Sequence, residues 1–207
     1  MFVTRRLCVF LVVQDNIVRR SLRELVESDA ELELVGQAAG VNQAMAQIPR
    51  CTPDVALLDD RLPDGNGFDL CWQLRPQVPM LRCVIFTSFG SPELMVSAVQ
   101  AGACGWIVRN AKGVEMLAAI KGAAAGEFLL DTGIATAWLG GRVHEEYWGT
   151  GLTLTEQEGD LLRLLATGSG GGQIADQMRL DDKAFRECLW MLISKAHAPR
   201  DGGWNFW

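Results

Sequence analysis

One apolar run between residues 53 and 67 constrains the fold of this chain more than any other feature. The run from Val55 to Leu58 leads directly into Asp59 and Asp60, and a turn rich in proline and glycine follows. This pattern is typical of a buried parallel strand that ends in a loop. In open α/β sheets the chemistry is built at the carboxyl ends of parallel strands, so we expect a site at Asp59 and its neighbour Asp60.

Apolar runs alternate regularly with segments of helical period up to about residue 125. Strands are predicted at residues 7–13, 32–37, 55–58, 82–87 and 104–108. Helices are predicted at residues 17–26, 41–48, 68–74, 92–100 and 111–125, the first of them with Ile17, Val18, Leu22, Leu25 and Val26 facing inward. Five strands that alternate with five helices predict an α/β fold, a doubly wound five-stranded parallel sheet.

A second pattern begins at Thr155, which has the spacing of a helix-capping box with Glu158. Helical segments are predicted at residues 156–166, 173–178 and 181–196, with a tight turn before the last of them. A helix, a short helix, a turn and a longer helix within some 40 residues favour a small all-α helix-turn-helix domain.

Four regions are therefore predicted along the chain. They are an α/β domain at 1–125, a linker at 126–151 with a short helix near 134–139, a helix-turn-helix domain at 152–196 and a C-terminal tail at 197–207. Proline and glycine in the tail do not allow a further helix there.

The composition excludes several classes of protein. Six cysteines without a C-x-x-C pair, and without a histidine at ligand spacing, argue against a zinc site and a disulfide scaffold. A redox-sensor role is not favoured, since no resolving cysteine is evident in the sequence. No apolar run is long enough to span a bilayer, so we expect a cytoplasmic protein without a membrane partner. The net charge of −6 means that nucleic-acid binding requires a local basic patch.

Three motifs resemble those of two-component response regulators of the NarL/FixJ type. They are Leu62-Pro63-Asp64-Gly65-Asn66-Gly67, the segment at 101–108 and Gln173-Ile174-Ala175-Asp176. The resemblance spans residues 7–196 and implies a CheY-like receiver joined to a LuxR-type helix-turn-helix. It also implies promoter DNA and a sensor histidine kinase as partners, and assembly as a homodimer or as a heterodimer with a sibling regulator.

The resemblance implies a role for four receiver residues. Asp59 matches the phosphoacceptor, and Thr87 matches the switch hydroxyl that bonds the phosphoryl oxygen. Trp106 occupies the position of an aromatic residue whose inward swing reports that bond. Arg109 replaces the lysine of the family and keeps its charge, although not the compact ammonium group.

The metal site of the family is altered in this chain. The acidic pair that would hold Mg²⁺ falls at Val13 and Gln14, and neither is a carboxylate. A slip of one residue would bring Asp15 beside Asp59 as a weak Mg²⁺ site. We therefore expect poor phosphorylation by the Mg²⁺-dependent route. Asp59 is either a working phosphoacceptor or a structural remnant that caps a loop or pairs with Arg109.

The DNA-binding half departs from the family as well. The resemblance places DNA contacts at Lys183, Arg186 and Glu187, and the glutamate suits only a donor such as a cytosine amine. Glycines at 170–172 replace the cap and the phosphate-binding lysine of the scaffold helix. Residues 152–207 hold eight acidic and six basic side chains, a net charge of −2.

Two functions remain open from the sequence. The first is a DNA-binding transcriptional regulator with an atypical receiver. The second is a receiver-like interaction module that modulates a kinase or a sibling regulator without binding DNA. An enzyme is disfavoured, because neither histidine lies near a nucleophile motif.

Overall fold

The computed structural model describes residues 5–88, 92–126, 154–166 and 171–197. The chain divides into two compact units, Met1–Leu130 and Asp131–Trp207. The predicted short helix at 134–139, nearly all of the predicted linker and the tail beyond residue 197 lie outside the described residues. No helix in the described ranges is both long enough and apolar enough to cross a membrane.

The first unit is a doubly wound parallel sheet, which confirms the predicted fold. Its strands are β1 (Leu7–Val12), β2 (Leu32–Ala38), β3 (Val55–Asp59), β4 (Arg82–Thr87) and β5 (Gly105–Val108). Its helices are α1 (Asn16–Glu27), α2 (Val41–Cys51), α3 (Gly67–Leu74), α4 (Pro92–Ala101) and α5 (Gly113–Ala124). The strand order is β2-β1-β3-β4-β5, and every pair of neighbouring strands is parallel.

The central strand β3 explains why the apolar run is so informative. It pairs with β1 on one side and with β4 on the other, and all five of its residues are buried. A strand covered on both faces needs a continuous apolar sequence, and Val55 to Leu58 supply it. Asp59 is the last residue of β3, so the strand delivers this carboxylate to the carboxyl edge of the sheet.

Helix α1 corrects one sequence expectation. Leu22 and Val26 are buried as predicted, whereas Ile17 is 78% exposed. An α-helix turns by about 100° per residue, which places Ile17 about 140° around the helix from Leu22 and opposite Val26. Ile17 therefore lies off the face that packs on the sheet.

The loop after β3 is tied to helix α2 by a carboxylate. Gly40 is the N-cap residue of α2 and has no side chain that could accept a hydrogen bond, so Asp64 caps the helix instead. Asp64 Oδ1 accepts from the Val41 amide at 2.7 Å, and Oδ2 accepts from the Asn42 amide at 2.9 Å. A Cβ atom at position 40 would lie 2.5 Å from Asp64 Oδ1, so a larger residue there would push this carboxylate away from the helix amides. The cap holds the loop that follows Asp59.

The second unit is helical, as predicted. It contains α6 (Glu156–Ala166), α7 (Gly171–Met178) and α8 (Asp182–His197). The predicted capping box is present: the Thr155 amide donates to Glu158 Oε2 at 2.7 Å, and the Glu158 amide donates to Thr155 Oγ1 at 3.2 Å. Helix α7 begins two residues before the predicted start, at the glycines. The core of this unit includes Leu161, Leu165, Ile174, Ala175, Phe185, Cys188, Leu189 and Leu192.

We predict that Asp64→Ala lowers the melting temperature of the first unit by a few degrees, because two helix amides lose their acceptor. The amides of Asn42 and Val41 hold the pKa of Asp64 below its ordinary value. The stabilisation is therefore present above about pH 4 and is lost as the pH falls through the lowered pKa. Thermal unfolding at pH 6.5 and at pH 3 should show the gap to wild type shrinking in acid. Asp64→Asn keeps an acceptor oxygen and should lose less, and a gap that does not change with pH would contradict the assignment.

Candidate functional site

Three strand ends build a site at the carboxyl edge of the sheet. Asp59 ends β3 and lies in register with Phe86 of β4. Thr87 is the last residue of β4 and lies in register with Val108 of β5. Arg109 follows Val108 directly in the chain. Carboxyl ends of adjacent parallel strands lie at one edge, so residues far apart in sequence meet here. The structure thus brings Asp59 and Arg109 together and places Thr87 on the strand between them.

Asp59 is fully buried and receives three hydrogen bonds. Arg109 Nη2 donates to Asp59 Oδ1 at 2.5 Å, which makes a buried ion pair. The Arg61 amide donates to the same oxygen at 3.3 Å, and the Gln14 amide donates to Oδ2 at 3.4 Å. Of these donors only Arg109 carries a charge, so the charge of Asp59 is balanced by one side chain.

Arg109 is held in place by packing as well as by the ion pair. Its guanidinium lies 5.0 Å from the centre of the Phe86 ring, which is a cation–π distance. Its side chain is 23% exposed, and its amide donates to the Thr87 carbonyl at 2.8 Å. Within the described residues, Arg109 Nε is buried and has no hydrogen-bond partner. Asp59 is therefore bound through one nitrogen of the guanidinium.

Two opposing effects act on the ionisation of Asp59. Burial raises the pKa of Asp59, and this is the larger effect. The hydrogen bond and charge of Arg109 lower the pKa, whereas a hydrogen-bonding contact with the Asp60 carboxyl raises it. The net direction is upward, so the ionised form of Asp59 depends on its contact with Arg109.

Thr87 bonds the carboxyl group of Asp60, and its switch role stays a prediction. Its hydroxyl Oγ1 donates to Asp60 Oδ2 at 3.1 Å. Asp60 is half-buried, and its amide donates to the Phe86 carbonyl at 3.0 Å, one residue beyond the end of β3. The sequence marked Asp60 only as a neighbour of Asp59. Strand alternation ends with the strand at Asp59, so it could not indicate where the Asp60 side chain points.

Trp106 lies on β5, in register with Ile85 of β4. It is 6% exposed and belongs to the buried residues of the first unit. The Trp106 side chain thus packs inside this unit. The reporter role of Trp106 stays a prediction.

One of the two carboxylates expected to hold Mg²⁺, which prefers carboxylate and water oxygens in octahedral geometry, is used elsewhere in the structure. Asp15 Oδ1 accepts from the amides of Ile17 and Val18 at 2.8 and 3.0 Å, so this carboxylate caps α1. The amides of Val18 and Ile17 hold the pKa of Asp15 below its ordinary value. No hydrogen bond or ion pair among the described residues joins Asp15 to Asp59, and no cluster of three acidic, histidine or cysteine side chains there suits a metal.

A second cation lies at the loop where the resemblance places the acidic pair. Arg19 Nη1 donates to the carbonyl oxygens of Val13 and Gln14, at 2.5 and 3.2 Å. The guanidinium of Arg19 adds positive charge beside the loop, and Arg109 adds positive charge beside Asp59. Two fixed cations disfavour a divalent ion by repulsion.

The predicted DNA contacts fall on one helix of the second unit. Lys183, Arg186 and Glu187 all lie on α8, within little more than one turn. Lys183 and Glu187 are exposed, and the Lys183 ammonium lies 4.0 Å from the Glu187 carboxylate. The described structure supports their common location, and their contact with DNA stays a prediction.

Comparisons with known proteins agree with this arrangement. Residues 9–121 match the family model of the response regulator receiver domain. The DNA-binding transcriptional activator DevR/DosR of Mycobacterium tuberculosis is 44% identical over 195 residues, which are 93% of this chain and 89% of that protein. The nitrate/nitrite response regulator NarL of Escherichia coli K12 is 26% identical, over 90% of this chain and 88% of that protein.

A solved structure gives a similar result. The crystal structure of a LuxR-family two-component response regulator from Aurantimonas has a TM-score of 0.62 and 27% identity. The match covers 67% of this chain and 99% of that one.

We predict that Arg109→Met destabilises the first unit by about 3 kcal/mol at pH 7, because a buried carboxylate loses its partner. The double variant Asp59→Asn/Arg109→Met should recover much of this loss, since no buried charge then remains. Because burial raises the pKa of Asp59, the loss in Arg109→Met should shrink when unfolding is repeated at pH 5 instead of pH 7, since acid favours the uncharged form of this buried carboxyl. Urea unfolding of the three proteins at both pH values measures this. An equal loss in the single and double variants would contradict the ion pair.

Proposed function

Because the chain belongs to the response-regulator family, as a two-component transcriptional regulator of the NarL/LuxR type, we propose that it acts by binding promoter DNA through its second unit. The observation that carries this proposal is the 44% identity to a DNA-binding transcriptional activator over 93% of the chain, which includes both units. The succession α6, α7 and α8 supports it, because a short helix and a turn before a longer helix are the parts of a helix-turn-helix.

We assign the recognition role to α8. Lys183 and Arg186 supply the positive charge for phosphate contacts, and Glu187 accepts from a cytosine amine. The contact between Lys183 and Glu187 is exposed and 4.0 Å long, so breaking it costs little and leaves the ammonium group available for DNA. The net charge of −2 in this half predicts modest affinity and a shallow salt dependence.

In the receiver, we propose that Asp59 is the inherited phosphoacceptor position and that Mg²⁺-dependent phosphorylation is impaired. The supporting observation is the ion pair with Arg109, which already neutralises the buried carboxylate. Control of the regulator then comes from a partner, such as a sensor kinase or a sibling regulator, or from dimerisation in the cytoplasm. Thr87, Trp106 and Arg109 are the residues through which the receiver responds.

One observation favours the second function, an interaction module that does not bind DNA. Glu187 introduces negative charge on the helix that would face phosphate, and acidic side chains outnumber basic ones in this half. Under that function α8 binds a protein partner, and Lys183 and Arg186 are dispensable for it.

We predict that the full-length protein binds a subset of genomic fragments and that Lys183→Ala/Arg186→Ala weakens binding by about tenfold at low salt. Loss of two phosphate contacts should also lower the slope of log affinity against log salt by about two. Fluorescence anisotropy at several salt concentrations measures both quantities.

The matched control for this prediction is Arg20→Ala/Arg163→Ala. It removes two exposed cations outside α8, so the net charge changes equally. A similar loss in both double variants would mean that binding reports charge alone. Absence of binding by the wild type would favour the interaction module.

We predict that acetyl phosphate with Mg²⁺ leaves the wild-type protein largely unmodified. Arg109 already forms an ion pair with the Asp59 carboxylate, and positions 13 and 14 carry valine and glutamine instead of carboxylates that could bind the metal. The variant Val13→Asp/Gln14→Asp/Arg109→Lys restores the residue types of the family and should gain one phosphoryl group. Intact-mass measurement separates the two results.

Adding Asp59→Asn to the triple variant should abolish the gain. Modification of the wild type that disappears with Asp59→Asn would show a working phosphoacceptor. Modification that survives Asp59→Asn would mean that another residue accepts the group.

A further inference from the structure

Three polar side chains meet at the ends of β3 and β4. The Thr87 hydroxyl donates to Asp60 Oδ2 at 3.1 Å, and Asp60 follows Asp59 directly in the chain, where its carboxyl raises the pKa of Asp59. Asp60 thus links the strand end that carries the predicted phosphoacceptor to the predicted switch hydroxyl. A phosphoryl oxygen on Asp59 that bonded Thr87 would compete with Asp60 for the same hydroxyl proton.

The chemistry of the two acceptors is similar. A carboxylate oxygen and a phosphoryl oxygen are both anionic, and each accepts a short charge-assisted hydrogen bond from a hydroxyl. The proton that Thr87 donates to Asp60 is the same proton that it would donate to a phosphoryl group. Either acceptor therefore holds the Thr87 side chain toward Asp59.

We propose that Asp60 is a built-in substitute for the phosphoryl group: its carboxylate accepts the Thr87 hydroxyl and holds the receiver in the switched arrangement without phosphate. The proposal rests on the proposed function, because it assigns the regulation of the same receiver. It names Asp60, which lies outside the residues that the resemblance assigned.

The position of Trp106 supports this proposal. Thr87 and Trp106 lie on the adjacent strands β4 and β5, and Trp106 is buried. An inward tryptophan is the arrangement expected when the switch hydroxyl is drawn toward Asp59. Here both features occur together with the Asp60 contact.

Asp60 also opposes conventional phosphorylation. A carboxyl group on the residue next to Asp59 adds negative charge near the place where a phosphoryl group would bring more, and like charges repel. One residue next to the predicted phosphoacceptor thus has two effects, since it imitates the modified state and hinders the modification.

The experiment uses full-length protein labelled with 5-fluorotryptophan, and Trp106→Phe assigns the fluorine resonance of Trp106 among the seven tryptophans. We expect Asp60→Ala to shift the Trp106 resonance in the same direction as Thr87→Val, and the double variant to shift it no further. Asp60→Asn retains an acceptor oxygen and should stay close to wild type. Asp64→Ala removes a carboxylate from the same loop that bonds α2 instead, so it should leave the resonance unchanged.

Anisotropy with a genomic fragment that the wild type binds gives the second readout. Asp60→Ala should lower DNA affinity by about fivefold or more, as allosteric couplings commonly do. A Trp106 resonance unmoved by Asp60→Ala but moved by Thr87→Val would overturn the proposal, and so would unchanged DNA affinity. If the wild type binds no DNA while the resonances follow expectation, the DNA-binding function fails and the role of Asp60 is upheld.

Discussion

The ion pair between Asp59 and Arg109 is the interaction on which this edge of the sheet depends. A buried carboxylate costs several kcal/mol unless a partner repays its lost hydration. The central strand β3 delivers Asp59 to a fully buried position, and β5 ends directly before the arginine that balances it. An arginine remains charged at any physiological pH, so the balance does not depend on a bound ion. The receiver thus carries its counter-ion as part of the chain.

A permanent counter-ion changes how such a site responds to a signal. A site neutralised by a diffusible metal ion alters its charge when the metal or a phosphoryl group arrives. Here Arg109 neutralises Asp59, Arg19 binds the carbonyl oxygens of the neighbouring loop, and Asp15 is used as a helix cap. Each group that would bind a ligand already has a partner within the protein. Under the function proposed above, a signal reaches the receiver through protein contacts and through the hydrogen bond between Thr87 and Asp60.

The sequence predicted the sheet because its apolar runs have the length and order that a parallel sheet requires, and Asp59 followed from its place after β3. The pairing of Asp59 with Arg109 was one of two open interpretations, since the sequence shows which strands end in these residues but not which rotamers they adopt. Ile17 is exposed although it was predicted to face inward, because its angle around α1 places it away from Leu22 and Val26. The contact of Thr87 with Asp60 was not predictable, because it forms where strand alternation ends.

The second unit departs from local sequence preferences in the start of α7 and in its net charge. Helix α7 begins at Gly171 although glycine costs about 1 kcal/mol relative to alanine within a helix. Packing of Ile174 and Ala175 in the core of this unit offsets that cost. Tertiary contacts, rather than local helix propensity, therefore stabilise the helix. Residues 152–207 carry a net charge of −2, and Lys183 of α8 lies near Glu187. With so little counter-ion release available, affinity for DNA depends more on base contacts than on contacts with phosphate.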